Sequence, residues 1–242
     1  MYSRSSLNTT TGIMAILCSL MVVICFIMLG KTFGYPEIIR QSPEVILNRL
    51  YEQKHLVPYL YYVGVGLGGL SIIITSILLR RIFRSEEEKI WAELGSTFGI
   101  LSGLLLYTGI VRYTFLFPYL AEHRVRGTWD PATIDLVFNA FNIYVGVSVA
   151  EHVQFTFTII MLLAFSTAIV KYGRLHRWVG YFGFATAVIL AYGNLEVFGA
   201  PGAFLFNRAG SKMIALWLLL TGFSLLLKRN TAADPAQSPA AP

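Results

Sequence analysis

Six long apolar segments constrain the fold of this chain more than any other feature of its sequence. A helix needs about 20 mostly apolar residues to cross the hydrocarbon core of a bilayer. Apolar residues make up 55% of the chain and charged residues only 13%, a composition far from that of soluble globular proteins. We predict an all-α integral membrane protein with six spans, at residues 12–30, 59–79, 93–115, 151–170, 178–197 and 211–227.

The region between the third and fifth spans is too long for one crossing, and its polarity suggests how to divide it. Residues 151–170 supply the length of one span, whereas 131–146 is shorter and carries Asp135, Asn139 and Asn142 along one side. A second crossing here would give seven spans and would place the charges on the wrong side of the membrane. We therefore predict a short amphipathic helix in the plane of the outer membrane surface, followed by the fourth span.

A second in-plane helix is predicted between the first two spans. Ser42 followed by Pro43 has the pattern of an N-cap residue and a proline at the first helical position, and Asp130 begins the other in-plane helix in the same way. Ser85 and Glu88 form a capping-box pattern at the start of the third membrane helix. The two in-plane helices are either ordinary amphipathic loops that pack on the bundle or a lid over its outer end.

Lysines and arginines predict the orientation, because short cytoplasmic loops carry an excess of them. The basic residues at the two short connections are Arg80, Arg81, Arg84, Lys89, Lys171, Arg174 and Arg177. Those in the other, longer loops are more widely spread. We predict that both termini are cytoplasmic, that residues 1–230 form one membrane domain, and that the Pro/Ala-rich residues 231–242 form a disordered cytoplasmic tail.

Arg112, Glu151, His152 and Glu196 are ionisable residues within the predicted spans. A charge at membrane depth costs roughly 2.5–3.5 kcal/mol on insertion scales, so such residues are normally paired and often functional. All four fall near the same end of their helices, which predicts one outward-facing polar cluster. Asn194, Gln154, Tyr107 and Tyr192 are expected to satisfy the remaining donors and acceptors. Of the two possible partners for Arg112, we favour Glu196 over Glu151, because Tyr107 and Tyr192 precede Arg112 and Glu196 at similar spacings.

Several membrane chemistries are excluded or disfavoured by the residues present. A retinal Schiff base needs a lysine within a span, and a bis-histidine haem needs two facing histidines at membrane depth. Lys212 and Lys228 lie only at the two ends of the last span, and His152 alone has the required depth. No recognised metal-ligand spacing is present, so we predict no cofactor and no metal site. The basic residues flank the spans and form no concentrated patch, which excludes a nucleic-acid partner.

Small residues recur at four-residue spacing within the spans, and in lipid such faces allow helix backbones to approach closely. They are Gly64 and Gly68, then Gly95, Gly99 and Gly103, then Gly183, Ala187 and Ala191. We interpret them as packing faces within one chain in preference to a dimer interface.

From Leu56 to Leu227 the chain resembles a bacterial and archaeal family of integral membrane proteins catalogued only as a domain of unknown function. The matching motifs are Arg112-Tyr113, Phe117-Pro118-Tyr119-Leu120-Ala121, the segment Tyr144 to His152, His176-Arg177-Trp178-Val179-Gly180, Leu195-Glu196 and a last helix containing Trp217. Ala150 departs from the pattern, which has glycine there. The resemblance implies a multi-pass bundle in a bacterial or archaeal plasma membrane, and it supplies no activity, cofactor or catalytic residue.

Three hypotheses for the function remain open. The first is a binding or transport-type membrane protein whose outward-facing pocket holds a small polar molecule or a lipid headgroup, with Arg112 recognising an anion. The second is an accessory or assembly subunit of a membrane complex, in which the polar cluster is structural and a membrane protein partner docks on the small-residue faces. The third is a membrane enzyme that uses Glu151 or His152 as a general base.

Overall fold

The computed structural model describes residues 4–231, and in this part of the chain the regular structure is entirely helical. The predicted tail, apart from Thr231, lies outside the described residues. The helices are α1 (Arg4–Phe33), α2 (Pro43–Glu52), α3 (Val57–Arg80), α4 (Glu86–Thr114), α5 (Leu116–Val125), α6 (Pro131–Tyr172), α7 (Arg177–Gly193) and α8 (Ala203–Thr231). Two 3₁₀ turns, Glu37–Arg40 and Asn194–Phe198, follow α1 and α7.

Six helices of the described chain are long and apolar enough to cross a membrane, which confirms the predicted number of spans. They are α1, α3, the continuous α4–α5 unit, α6, α7 and α8. These six helices run in alternating directions, so the end of α1, the start of α6, the end of α7 and the start of α8 lie together. We call this end of the bundle the upper end. That it faces outward remains a prediction from the basic residues.

The structure has one uninterrupted helix, α6, where the sequence predicted a separate in-plane helix followed by a span. Proline stands only at the first position of α6, and Gly146 is accommodated in the π-helical segment Asn142–Val153, so nothing forces a break. At 42 residues, α6 is about 60 Å long in ideal geometry, twice the thickness of the hydrocarbon core. Its first turns therefore extend past the membrane or the whole helix tilts.

The predicted helix starts are confirmed. The Ser42 side chain accepts a hydrogen bond from the Val45 amide, Asp130 accepts one from Thr133, and Ser85 and Glu88 form the full capping box. Helix α2 buries one face against α5 through a cluster of apolar residues. These are Ile46, Leu47 and Leu50 of α2 and Phe117, Leu120 and Ala121 of α5. Its placement in the membrane plane stays a prediction.

The small residues pack helix against helix within the chain. A Cβ added at Gly103 would lie 2.4 Å from the carbonyl oxygen of Gly69, so α3 and α4 touch backbone to backbone. A Cβ at Gly183 would lie 2.7 Å from the Trp217 indole nitrogen, so the Trp217 side chain of α8 packs directly on the backbone of α7. Such close approach supplies the van der Waals contacts that hold membrane helices together.

The contact between α4 and α6 gives a stability prediction. A Cβ added at Gly109 would lie 1.9 Å from the Ala150 Cβ. We expect Gly109→Ala to lower the free energy of unfolding by about 1–3 kcal/mol, because the two helices must move apart. Adding Ala150→Gly should restore most of the loss, since it removes the clashing carbon. Thermal unfolding in detergent micelles measures both effects.

Gly66→Ala is the matched control, because its new Cβ would find only ordinary contacts at 3.6 Å. Equal stability of Gly109→Ala and the wild type, or no recovery in the double variant, would contradict the close contact.

The orientation is tested by accessibility labelling of single cysteines. Glu87 is exposed at the start of α4, and Arg126 is exposed at the end of α5, at the opposite end of the bundle. We expect a membrane-impermeant maleimide to label Arg126→Cys in intact cells and Glu87→Cys only after lysis. The native Cys18 and Cys25 are buried and should give little background. Labelling of Glu87→Cys from outside would show that the predicted orientation is wrong.

Candidate functional site

A cavity of about 430 Å³ opens at the upper end of the bundle, between α1, α3, α4, α6 and α8. The segment 35–41, which we call the roof, lines the cavity at this end. Polar side chains of the cavity wall lie near the roof, and they include Arg40, Arg112, Glu151, Asn207 and Arg208. Deeper positions on the same helices are mostly apolar, such as Val22, Val65, Leu106, Ile214 and Leu218. The cavity therefore has a charged upper part and an apolar lower part.

Arg112 lies in the wall of this main cavity and makes few contacts of its own. One guanidinium nitrogen donates a hydrogen bond to the Gly109 carbonyl, and the buried Nε has no hydrogen-bond partner among the described residues. The guanidinium packs against Gly146, where an added Cβ would lie 2.5 Å from Nη2. It also lies 4.9 Å from the centre of the Tyr113 ring, within range of a cation–π contact.

The predicted ion pair between Arg112 and Glu196 is wrong. Glu196 lies in the 3₁₀ turn after α7 and pairs with Arg40 of the roof, with 2.6 Å between Nη1 and Oε1. This hydrogen bond is the main reason why the pKa of Arg40 is raised above its ordinary value. The similar spacings from Tyr107 and Tyr192 indicated similar depth, but they carried no information about which side chain reaches across from the roof.

Asn207 connects the two carboxylates of the cluster. Its Nδ2 donates to Glu151 Oε1 at 2.8 Å and to Glu196 Oε2 at 3.3 Å, and the residue is only 8% exposed. A second ion pair, Arg208 Nη2 to Glu37 Oε1 at 2.7 Å, attaches the roof to α8. Two ion pairs and one amide therefore hold the roof, α6, α7 and α8 together.

Tyr35 of the roof also lines the main cavity. Burial raises the pKa of its phenol above the ordinary value, so the hydroxyl stays protonated at neutral pH. The opposite direction holds for Glu37, whose pKa is lowered first by a hydrogen bond from its own backbone amide and then by Arg208. The roof thus presents a neutral phenol and charged, paired side chains to the cavity.

Glu151 occupies the centre of the cluster. It interacts electrostatically with Arg40, Arg112 and Glu196. Among the residues that the structure describes, no Lys, Arg or His side chain lies within ion-pair distance of it, and Asn207 is its hydrogen-bond donor. The π-helical segment Asn142–Val153 supplies both Glu151 and Gly146, the residue that packs on Arg112. π-Helical turns inside helices are frequent at functional sites, because they redirect side chains at that point.

A second, smaller cavity of about 270 Å³ lies beside the main one, between α6, α7, α8 and the roof. Ile39, Arg40, Glu151 and Asn207 line both cavities, so these side chains form the partition. His152 faces this side cavity together with Glu196 and Asn194, and its buried Nδ1 has no partner in the described chain. Asn194 donates to the His152 carbonyl at 3.1 Å and to Thr156 Oγ1 at 3.0 Å.

The remaining predicted residues divide into two groups. Gln154 lines the main cavity and is 1% exposed. Tyr107 and Tyr192 line neither cavity. Tyr107 donates instead to the Tyr62 hydroxyl at 3.2 Å, and Tyr192 donates to the Pro201 carbonyl at 2.9 Å. The structure brings Arg112, Glu151, His152, Glu196, Asn194 and Gln154 to the two cavities, and leaves the two tyrosines outside.

Sequence reasoning missed Arg40, Asn207 and Arg208. Arg40 was assigned to an outer loop, and the last span was placed at 211–227, although α8 begins at Ala203. The signal that could have found two of them is the adjacent pair Asn207-Arg208, polar residues within the first turns of an otherwise apolar helix. Among the described residues no group of three or more His, Cys, Asp or Glu side chains has the arrangement of a metal site.

Comparison with known proteins identifies the family. The family described as "Domain of unknown function (DUF4386)" matches residues 10–228, which is nearly the whole chain. The chain therefore belongs to this family, in agreement with the resemblance in its motifs. No curated protein and no solved structure matches it.

Asn207 gives the stability prediction for the site. Replacing it by alanine removes the donor shared by Glu151 and Glu196 and leaves both oxygens without that partner. A buried polar group that loses its partner costs about 1–3 kcal/mol, so we expect Asn207→Ala to destabilise the protein by that amount. Thermal unfolding in micelles measures the loss. Asn139→Ala, at an exposed position of α6, is the control and should change stability little. Equal effects of the two substitutions would contradict the bridging role.

Proposed function

We propose that this protein binds a small amphiphile with an anionic headgroup in the main cavity, and that Arg112 recognises the anion. The observation that supports this most directly is a group of polar atoms without partners. Within the described chain, Arg112 Nε and Gln154 Oε1 are buried and make no hydrogen bond, the buried Tyr61 and Tyr113 hydroxyls have no partner other than each other, and all four residues line this one cavity. Buried polar groups are normally paired, so a set of them around a cavity indicates a polar ligand.

The charges of the wall favour an anion at Arg112. Arg40 and Arg208 are neutralised by Glu196 and Glu37, so their charges are already used. Arg112 has no carboxylate within ion-pair distance among the described residues and keeps free donors next to the cavity. Glu151 lies in the same wall and its Oε1 accepts from Asn207, so Arg112 is the favoured position for the headgroup.

The volume and the lower wall favour a ligand with an apolar part. A cavity of 430 Å³ is within the usual range of about 300–1,000 Å³ for small-molecule sites. Its deeper residues, such as Val65, Leu106 and Leu218, would contact a hydrocarbon chain. The hydrocarbon chain of an amphiphile that enters from the membrane would stay in apolar surroundings throughout. Only its headgroup would exchange contacts with lipid and water for contacts with the protein.

The two other hypotheses are less well supported. An accessory subunit with a purely structural cluster would be expected to have Arg112 fully paired and no cavity beside it. An enzyme that used His152 as a base would need an orienting partner for the ring, and its Nδ1 has none among the described residues.

Ligand binding tests the proposal directly. The purified protein in phosphatidylcholine nanodiscs is titrated with decyl phosphate and with decanol, which share a chain and differ in charge. We expect decyl phosphate to bind at least about tenfold more tightly, and Arg112→Leu to lose that preference, because a charged hydrogen bond is worth roughly 1.5–3 kcal/mol. Arg112→Lys should retain part of it, since the charge remains without the planar fork.

Arg126→Leu is the matched control, because Arg126 is an exposed arginine that does not line the cavity. Equal affinity of the wild type for the two probes would contradict the proposal. So would a loss in Arg126→Leu as large as that in Arg112→Leu.

A further inference from the structure

Gln154 is the deepest strongly polar side chain in the main cavity wall contributed by α6. It follows Gly146, the glycine that packs on the Arg112 guanidinium, by about two turns of the helix, and therefore lies deeper in the bundle. It is 1% exposed. At this depth a polar group without a partner is unfavourable.

The orientation of the Gln154 amide follows from its hydrogen bonds. Nε2 lies 2.8 Å from both Ser102 Oγ and Thr158 Oγ1, and the two hydroxyls are 2.7 Å apart. The Thr158 hydroxyl donates to the backbone carbonyl of Gln154 at 3.0 Å. These four contacts need four hydrogens. Two come from the hydroxyls and two from Nε2, so every contact is a hydrogen bond only when the amide nitrogen faces the hydroxyls. A flipped amide would leave two hydrogens for the same contacts.

The amide oxygen Oε1 is therefore the atom that Gln154 has left for the cavity. It is buried and has no hydrogen-bond partner in the part of the chain that the structure describes. A carbonyl oxygen can only accept, so its partner must be a donor. Since Ser102, Thr158 and Nε2 are already engaged with one another, the donor has to come from the cavity.

We infer that the ligand of the main cavity carries a hydroxyl or N–H group several carbons along its chain from the anionic group, and that Gln154 Oε1 accepts its hydrogen bond. This rests on the proposed function, because it describes the lower part of the same ligand. The substrate class becomes a single-chain anionic amphiphile with a polar group in the chain. A plain alkyl anion would leave Oε1 unpaired at membrane depth.

The test adds a hydroxyl to the probe and removes its acceptor from the protein. Decyl phosphate is compared with two derivatives that carry a hydroxyl on the second or on the sixth carbon, in wild type and in Gln154→Met. Methionine keeps the length of the side chain and leaves Ser102 bonded to Thr158 and Thr158 bonded to the backbone carbonyl. The measured quantity is the ratio of the Kd values with and without the hydroxyl, which cancels the difference in membrane partitioning between proteins.

We expect the hydroxyl on the sixth carbon to be favoured about fivefold to tenfold more in wild type than in Gln154→Met, as a neutral hydrogen bond is worth roughly 1 kcal/mol. The hydroxyl on the second carbon should show a smaller difference. Gln53→Met, at the end of α2 and outside the cavity, is the control and should behave like wild type.

The outcomes separate the two proposals. Tight binding of decyl phosphate with the same hydroxyl ratio in wild type and Gln154→Met overturns this inference and leaves the proposed function standing. Weak, charge-independent binding of all probes overturns both. If Gln154→Met does not fold, the comparison of the two hydroxyl positions in wild type decides, because equal affinities for them contradict an acceptor at a fixed depth.

Discussion

The upper end of this bundle depends on one requirement, that polar groups inside a membrane find their partners within the protein. Asn207 donates hydrogen bonds to two carboxylates, those of Glu151 and Glu196. Arg40, which lies outside the membrane helices, forms an ion pair with Glu196. These contacts attach the roof and bring α6, α7 and α8 to fixed positions around the cavity. The side chains that this network does not satisfy, above all those of Arg112 and Gln154, are the ones that the proposed ligand would pair.

The sequence predicted the parts of the fold that local chemistry determines. Six apolar segments correspond to six helices that are long and apolar enough to cross a membrane, and Ser42, Ser85 and Asp130 marked helix starts that the structure confirms. The helix of residues 131–172 was mispredicted, because polarity on one face was taken to end a span. Polar residues near the end of a membrane helix can lie beyond the hydrocarbon core without any break in the backbone.

The sequence identified most residues of the site but not which of them form ion pairs with each other. Depth along a helix can be counted in sequence, and it correctly placed Arg112, Glu151 and Glu196 at the same end of the bundle, with Gln154 deeper. Pairing depends on how helices rotate and on what loops place above them, and neither is encoded in spacing. Arg40 shows this most clearly, because it comes from a connecting segment and takes the partner that depth alone assigned to Arg112.

The π-helical segment of α6 has a consequence for how this protein can change over generations. A π turn holds more residues than an α turn, so the helix above Asn142 and the helix below Val153 are out of register with each other. Loss of one residue between them would let α geometry return and would rotate the upper part by about 100° relative to the lower part. Gly146 and Gln154 would then no longer face the same space. The number of residues in this segment is therefore constrained independently of their identity. We expect related sequences to differ there by substitutions and not by insertions or deletions.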